Sequence, residues 1–150
     1  MYNHLRVAMK EMQEAGVGNW NTTSVEYASP SFFAKQKRKN KLCMCVAYNE
    51  LNKVTVDDVY PLPLIEVVIE TLKGKKYFTL IDLRSGYWQC PISEFAKRFM
   101  AMITSCGIFQ YEVLPFGVKN APLYFQRTMN NVLKEGLAIN AFVKFILYIL

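Results

Sequence analysis

The sequence predicts an α+β domain with helices packed on an antiparallel sheet, and three observations carry that expectation. Apolar residues recur at helical spacing near the N-terminus and again after Asn120, where Pro122 sits in a first turn. Two pairs of β-prone runs, 31–35 with 41–48 and 99–103 with 109–114, flank short polar connections. These elements follow one another in mixed order rather than in strict βαβ alternation. A chain of 150 residues with 52% hydrophobic and 14% aromatic content suits one packed domain, 1–150.

In chain order, Leu5, Ala8, Met9 and Met12 mark a helix over 4–15 that Gly16 ends. Residues 16–29 are polar and turn-rich, with no clear period. Ser31–Lys35 and Lys41–Tyr48 read as strands flanking a basic run, a hairpin with a positively charged tip. Tyr60-Pro61-Leu62-Pro63 is extended, and Leu64–Leu72 is a short helix closed by Gly74. Tyr77–Leu83 has the pattern of a buried strand with Asp82 near its end. Phe99–Ile103 and Phe109–Leu114 join through Ser105-Cys106-Gly107. Asn120 is placed as an N-cap, and its helix runs to about Glu135. Residues 141–150 are apolar and β-prone, broken only by Lys144.

The net charge of +6 attracts polyanions, so nucleic acid is a natural partner. Lys35, Lys37, Arg38, Lys39 and Lys41 form one dense cluster and Lys73, Lys75 and Lys76 another; on charge alone two solvated loops are the favoured reading. Cys43, Cys45, Cys90 and Cys106 lack zinc-type spacing, and the Cys-x-Cys pair is read as filling space on one strand face. No targeting sequence or membrane-length apolar run precedes residue 140. The expectation is an intracellular, reduced protein with no membrane partner.

Asp82 is the first candidate for chemistry. An aspartate closing an apolar strand either caps the following turn, Arg84-Ser85-Gly86, or ligates a metal at the sheet edge. Its surroundings are specific. Phe78-Thr79-Leu80-Ile81-Asp82-Leu83-Arg84-Ser85-Gly86-Tyr87-Trp88-Gln89 resembles the strand and turn that hold the first metal-binding aspartate in reverse transcriptases of gypsy-class long-terminal-repeat retrotransposons. Further blocks agree in order and spacing: Tyr27-Ala28-Ser29-Pro30, Glu50-Leu51-Asn52-Lys53-Val54-Thr55, Tyr60-Pro61-Leu62-Pro63, Leu114-Pro115-Phe116-Gly117, Asn120-Ala121-Pro122 and Phe125-Gln126-Arg127. The resemblance covers about residues 16–133.

It implies the fingers and N-terminal palm of a right-hand polymerase, with a basic fingers hairpin at about 31–48, palm elements at about 77–150 and no thumb. Nucleotidyl transfer needs two divalent ions roughly 4 Å apart, and magnesium takes hard oxygen ligands. The resemblance gives Asp82 the role of bridging Mg2+ ligand, with the Leu83 carbonyl beside it. Tyr87 is implied as the steric gate beneath the incoming sugar, with Phe116 near the same sugar. Lys35, Lys37, Arg84, Ser85 and Gly86 are implied on the nucleotide side, and Gly117, Asn120, Pro122 and Gln126 on the template and primer side. Primer–template RNA or DNA and deoxynucleoside triphosphates are the implied partners. Taken alone, Tyr87 and Trp88 read as core aromatics; their company with Asp82 favours the polymerase reading.

Three departures bear on function. The family's Tyr-x-Asp-Asp turn is missing: the chain reads Val143-Lys144-Phe145-Ile146-Leu147-Tyr148-Ile149-Leu150. Either Leu147 and Tyr148 stand where the aspartates belong, or Tyr148-Ile149 begins a motif that Leu150 leaves incomplete. Cys43, Ala47 and Asn49 replace an arginine, an aspartate and an arginine of the family pattern, so a phosphate grip and an ion pair are lost. The rest of the palm, the thumb, the connection and RNase H do not occur in these residues. The chain holds only three aspartates, Asp57, Asp58 and Asp82, and Asp57-Asp58 lie in a connection remote from the family's metals. The expectation is therefore a truncated domain that does not polymerise by itself, or an interaction remnant that keeps the basic fingers for nucleic acid. An unpaired apolar strand at 142–150 predicts poor solubility and self-association.

Overall fold

Helix α1 (Tyr2–Glu14) turns Leu5, Met9 and Met12 onto one buried face, as their 3.6-residue spacing requires. Gly16, at φ +70°, closes it in the left-handed region, and the Val17 N–H returns to the Met12 carbonyl at 2.9 Å. The computed structural model describes residues 2–20, 25–36, 41–61, 64–77 and 82–136. Strand β1 (Gly18–Trp20) follows at once, in the stretch whose composition showed only turns. Three residues are too few to display a period of two, so this strand is legible only from its partner. An added Cβ at Gly18 would stand 2.6 Å from Cε1 of Phe109, and the close approach of β1 depends on the bare glycine.

Strands β2 (Ala28–Gln36) and β3 (Lys41–Val46) form the expected hairpin, in register from Ser31 with Val46 to Gln36 with Lys41. Strands β4 (Ala101–Thr104) and β5 (Gly107–Tyr111) form the second, and the sheet runs β1-β5-β4-β2-β3. It is antiparallel except at one pairing. The first residues of β2, Ala28 to Pro30, lie parallel to Ala101 to Ile103, and from Ser31 the strand turns its edge to β3.

Strand β4 starts two residues later than expected because a helix claims its lead-in. Ser93 caps α4 (Glu94–Lys97), its hydroxyl accepting from the Ala96 N–H at 3.2 Å, and the Ala96 carbonyl then takes the N–H groups of Phe99 and Met100. Strand β5 ends at Tyr111 rather than Leu114, and Val113 makes only an isolated bridge to Pro91. Helix α2 (Asn49–Val54) was not expected, whereas α3 (Ile65–Leu72), followed by Gly74 at φ +73°, and α5 (Ala121–Gly136) lie where the sequence put them. Of the strand expected at 77–83, residues 78–81 fall outside the described residues; Tyr77 and Asp82 at its ends are exposed. The hairpin tip at 37–40, with Lys37, and the segment 141–150 also fall outside them.

Two apolar clusters result. Leu5, Met9, Met12, Val17, Met102, Phe109 and Tyr111 fill the space between α1 and the sheet. Tyr48, Tyr87, Cys90, Leu114, Val118, Ala121 and Phe125 form the second, and Val46 and Ile92 touch both. The Tyr48 hydroxyl donates to the Met100 carbonyl at 2.7 Å, and burial pushes its phenol far above the usual range. Cys43 and Cys45 pair with Ala34 and Phe32, and all four cysteines are free thiols. Among the described residues no helix is long and apolar enough to cross a membrane.

Candidate nucleotide-binding and polymerase site

The residues after Asp82 form a tight turn that the second cluster holds from below. Ser85 sits in the left-handed region at φ 50°, ψ 48°, a conformation costing a non-glycine residue about 1 kcal/mol. A short 3-10 turn over Gly86–Gln89 follows, with the Trp88 N–H returning to the Ser85 carbonyl at 2.8 Å. The Gln89 amide donates to the Arg84 carbonyl at 2.9 Å and closes the turn on itself. Gly86 is required for packing: an added Cβ would lie 2.8 Å from Cζ of Phe125 on α5. The turn and the helix therefore meet backbone to ring.

Aromatic rings stack through this junction. Tyr87 lies 4.9 Å from Phe116 and 5.5 Å from Phe125 between ring centroids, and Trp88 meets Phe116 at 5.9 Å. Tyr87 is only 5% exposed, and burial pushes its phenol up to about 12. Phe116 is 51% exposed, so it is the ring of this stack that reaches solvent, packed against the buried Tyr87. Gly117, at φ +97°, turns the chain after Phe116 over the Tyr48 ring.

A polar seam then ties the 52–60 segment to the start of α5. The Asn52 amide donates to the Gly117 carbonyl at 2.8 Å, and its oxygen accepts from the Lys119 N–H at 2.8 Å. Asn120 occupies the position before α5, as expected of an N-cap, while its side chain serves the facing loop. It accepts from the Asp58 N–H at 3.2 Å and donates to the Val56 carbonyl at 2.7 Å. Lys119 pairs with Asp57 at 2.7 Å. Arg127 grips both oxygens of Asp58 at 2.8 Å each and lies 5.1 Å from the centre of the Tyr60 ring. Asn130 donates to the Tyr60 hydroxyl at 2.7 Å and accepts from Gln126 at 3.0 Å.

Of the residues singled out in the sequence, Gly86 and Tyr87 meet Phe125, Leu83 lies beside Gly86, and Phe116 packs on Tyr87. Gly117, Asn120 and Pro122 follow on the adjoining turn and first helical residues. Gln126 is 1% exposed, its side chain held in the interior. Lys35 is exposed near the described end of β2, opposite Leu42. Asn52, Asp58, Arg127 and Tyr60 escaped the sequence reading as site residues. Their spacing of roughly 60–70 residues carries no local signal, and only the packed loop reveals the seam.

The donor set does not fit a two-magnesium clamp. Such a site needs several carboxylate oxygens converging on ions roughly 4 Å apart. Asp82 is exposed, and no group of three or more His, Cys, Asp or Glu side chains gathers among the described residues. Asp57 and Asp58 are engaged by Lys119 and Arg127. After Glu94 the chain carries only Glu112 and Glu135 as acids, and Glu112 pairs with Lys97.

The seam makes a stability prediction. The side chains of Arg127 and Asp58 keep 40% and 29% of their exposure, so solvent weakens the pair. Arg127→Ala is expected to lower unfolding free energy by about 1–2 kcal/mol, read from the urea midpoint. Lys53→Ala, which removes an exposed pair within α2, is expected to change the midpoint by much less.

The chain is similar to known proteins over most of its length. A family model described as reverse transcriptase (RNA-dependent DNA polymerase) matches residues 30–149. The chain is 42% identical over 96 residues to an RNA-directed DNA polymerase homolog of Oenothera berteroana, covering 64% of this chain and 68% of that protein. It is 37% identical over 112 residues to the retrovirus-related Pol polyprotein from transposon 297 of Drosophila melanogaster, covering 72% of this chain and 11% of the polyprotein. It is 35% identical over 111 residues to the enzymatic polyprotein of figwort mosaic virus (strain DxS), of which it spans 17%. The crystal structure of prototype foamy virus protease–reverse transcriptase superposes with a TM-score of 0.73 at 21% identity, over 87% of this chain and 17% of that one. That likeness establishes the fold, shared with a part of that chain. With the family model spanning four-fifths of its residues, the chain belongs to the reverse transcriptase (RNA-dependent DNA polymerase) family.

Proposed function

We propose that these 150 residues are a fingers-and-palm unit of a gypsy-class retrotransposon reverse transcriptase that does not catalyse template-directed nucleotidyl transfer by itself. The observation that carries the reading is the fate of the aspartates. Asp82, which the resemblance sets at the family's first metal position, is exposed, and the other two aspartates are bound into the seam with Lys119 and Arg127. In one register Leu147 and Tyr148 replace the remaining ligands. In the other, any such ligands would have to come from outside these residues. One carboxylate gives two magnesium ions too few hard donors, and losing the clamp costs many orders of magnitude in rate.

The exposed Lys35 on a hairpin with a basic tip supports a second role, retention of primer–template without extension. Four free thiols suit a reducing, intracellular setting. The test is extension of a primed homopolymer template with magnesium or manganese, beside binding of the same duplex at low and high salt. The expected result is salt-dependent binding with no incorporation. Incorporation that Asp82→Asn abolishes would overturn the inactive reading, and absence of binding at low salt would overturn the second role.

A further inference from the structure

Helix α1 has two unlike faces. Leu5, Met9 and Met12 are buried against the sheet, while Arg6, Lys10 and Gln13 follow one another at helical spacing on another side. Between that side and the β4–β5 turn lies a groove of about 530 Å³ lined by Arg6, Val7, Lys10, Gln13, Trp20 and Cys106. Five of these six residues precede the region that the family model matches, 30–149.

The lining has one charge sign and one large ring. Arg6 makes no ion pair among the described residues, and Lys10 meets only Glu14, at 3.6 Å with both side chains largely exposed. That contact is weak and easily exchanged for another anion. Trp20 is fixed from behind by Phe109, at 6.1 Å and nearly perpendicular, and lies against Gly107, where an added Cβ would stand 3.5 Å from Cζ3. The indole is therefore packed from one side while part of it lines the groove, and among the described residues no carboxylate lines it. Cations one helical turn apart beside an anchored indole match what a single nucleic-acid strand requires: phosphate neutralisation and a stacking platform.

We propose that this groove binds single-stranded nucleic acid, one base stacking on Trp20 and adjoining phosphates meeting Arg6 and Lys10. The site is separate from the basic fingers hairpin and does not depend on the polymerase reading.

The test uses the full chain with Trp88→Phe, so that Trp20 is the only fluorescent indole, titrated with a thymidine decanucleotide. Quenching of Trp20 is expected. Arg6→Gln with Lys10→Gln, both on the exposed side of α1, should weaken binding about tenfold at low salt and flatten the salt slope by about 1.4. An abasic decamer of equal charge should bind at least about fivefold more weakly, because stacking is lost. Binding without Trp20 quenching, or unchanged by the paired glutamines, would overturn the proposal. So would thymidine monophosphate quenching as effectively as the strand at equal concentration. Variants Lys35→Gln and Lys37→Gln separate the two sites: their loss of duplex binding with intact Trp20 quenching speaks to the hairpin alone.

Discussion

Phe109→Ala is expected to lower the unfolding free energy of this domain by about 3–5 kcal/mol, a large share of the roughly 5–15 kcal/mol a domain possesses. The expectation rests on where the ring lies. Phe109 is fully buried in the middle of β5, between β1 on one side and β4 on the other. It pairs with Trp20 in one register and with Met102 in the other, and meets Trp20 and Tyr111 edge to face. Gly18 lacks a side chain where this ring passes, so nothing at that position of β1 can fill the space. The cavity would persist, and its cost adds to the lost transfer energy. Chemical denaturation checks this against Val132→Ala, an exposed change on α5 expected to shift stability by no more than about 0.5 kcal/mol. A loss below about 1 kcal/mol for Phe109→Ala would mean that β1 is not packed as described.

How much of this was legible in the sequence follows from how local each signal is. Helix α1 declared itself through Leu5, Met9 and Met12 and a terminal glycine, and α5 through Asn120 and Pro122, because periodicity and capping act within a few residues. The β2–β3 hairpin declared itself through two apolar runs around a charged connection. Strand β1 did not, since its three residues exist as a strand only by pairing with β5, some ninety residues away. Helix α4 carried a readable sign, Ser93 followed by Glu94, but the apolar pattern of 99–103 masked it.

The candidate site divides in the same way. Gly86, Tyr87 and Phe116 were found because the turn and the Leu-Pro-Phe-Gly block are contiguous in sequence. The Asp58–Arg127 fork and the Asn52 bridge were missed because each joins segments more than sixty residues apart. The seam also gives Asp57 and Asp58 a structural role. Adjacent aspartates in a basic, metal-dependent family invite a ligand reading from composition, and their lysine and arginine partners argue against it.

The second large effect concerns those missing ligands and decides between the two registers of residues 141–150. In the unaltered chain, Mn2+ affinity is expected to change little on Asp82→Asn, because a lone exposed carboxylate holds a hard dication weakly. In a Leu147→Asp, Tyr148→Asp variant, two further carboxylates would join Asp82 if these positions correspond to the family's aspartates. Affinity should then rise about tenfold or more, since charge and ligand number set the strength of such sites. Adding Asp82→Asn to that variant should remove most of the gain, which surface carboxylates acting independently would not do. Titration calorimetry or manganese spin resonance reads both effects without requiring catalysis. A gain that Asp82→Asn leaves untouched would place residues 147 and 148 away from the site. No gain at all would favour the register in which Tyr148 begins the motif, and Leu147 would then not be a substituted ligand.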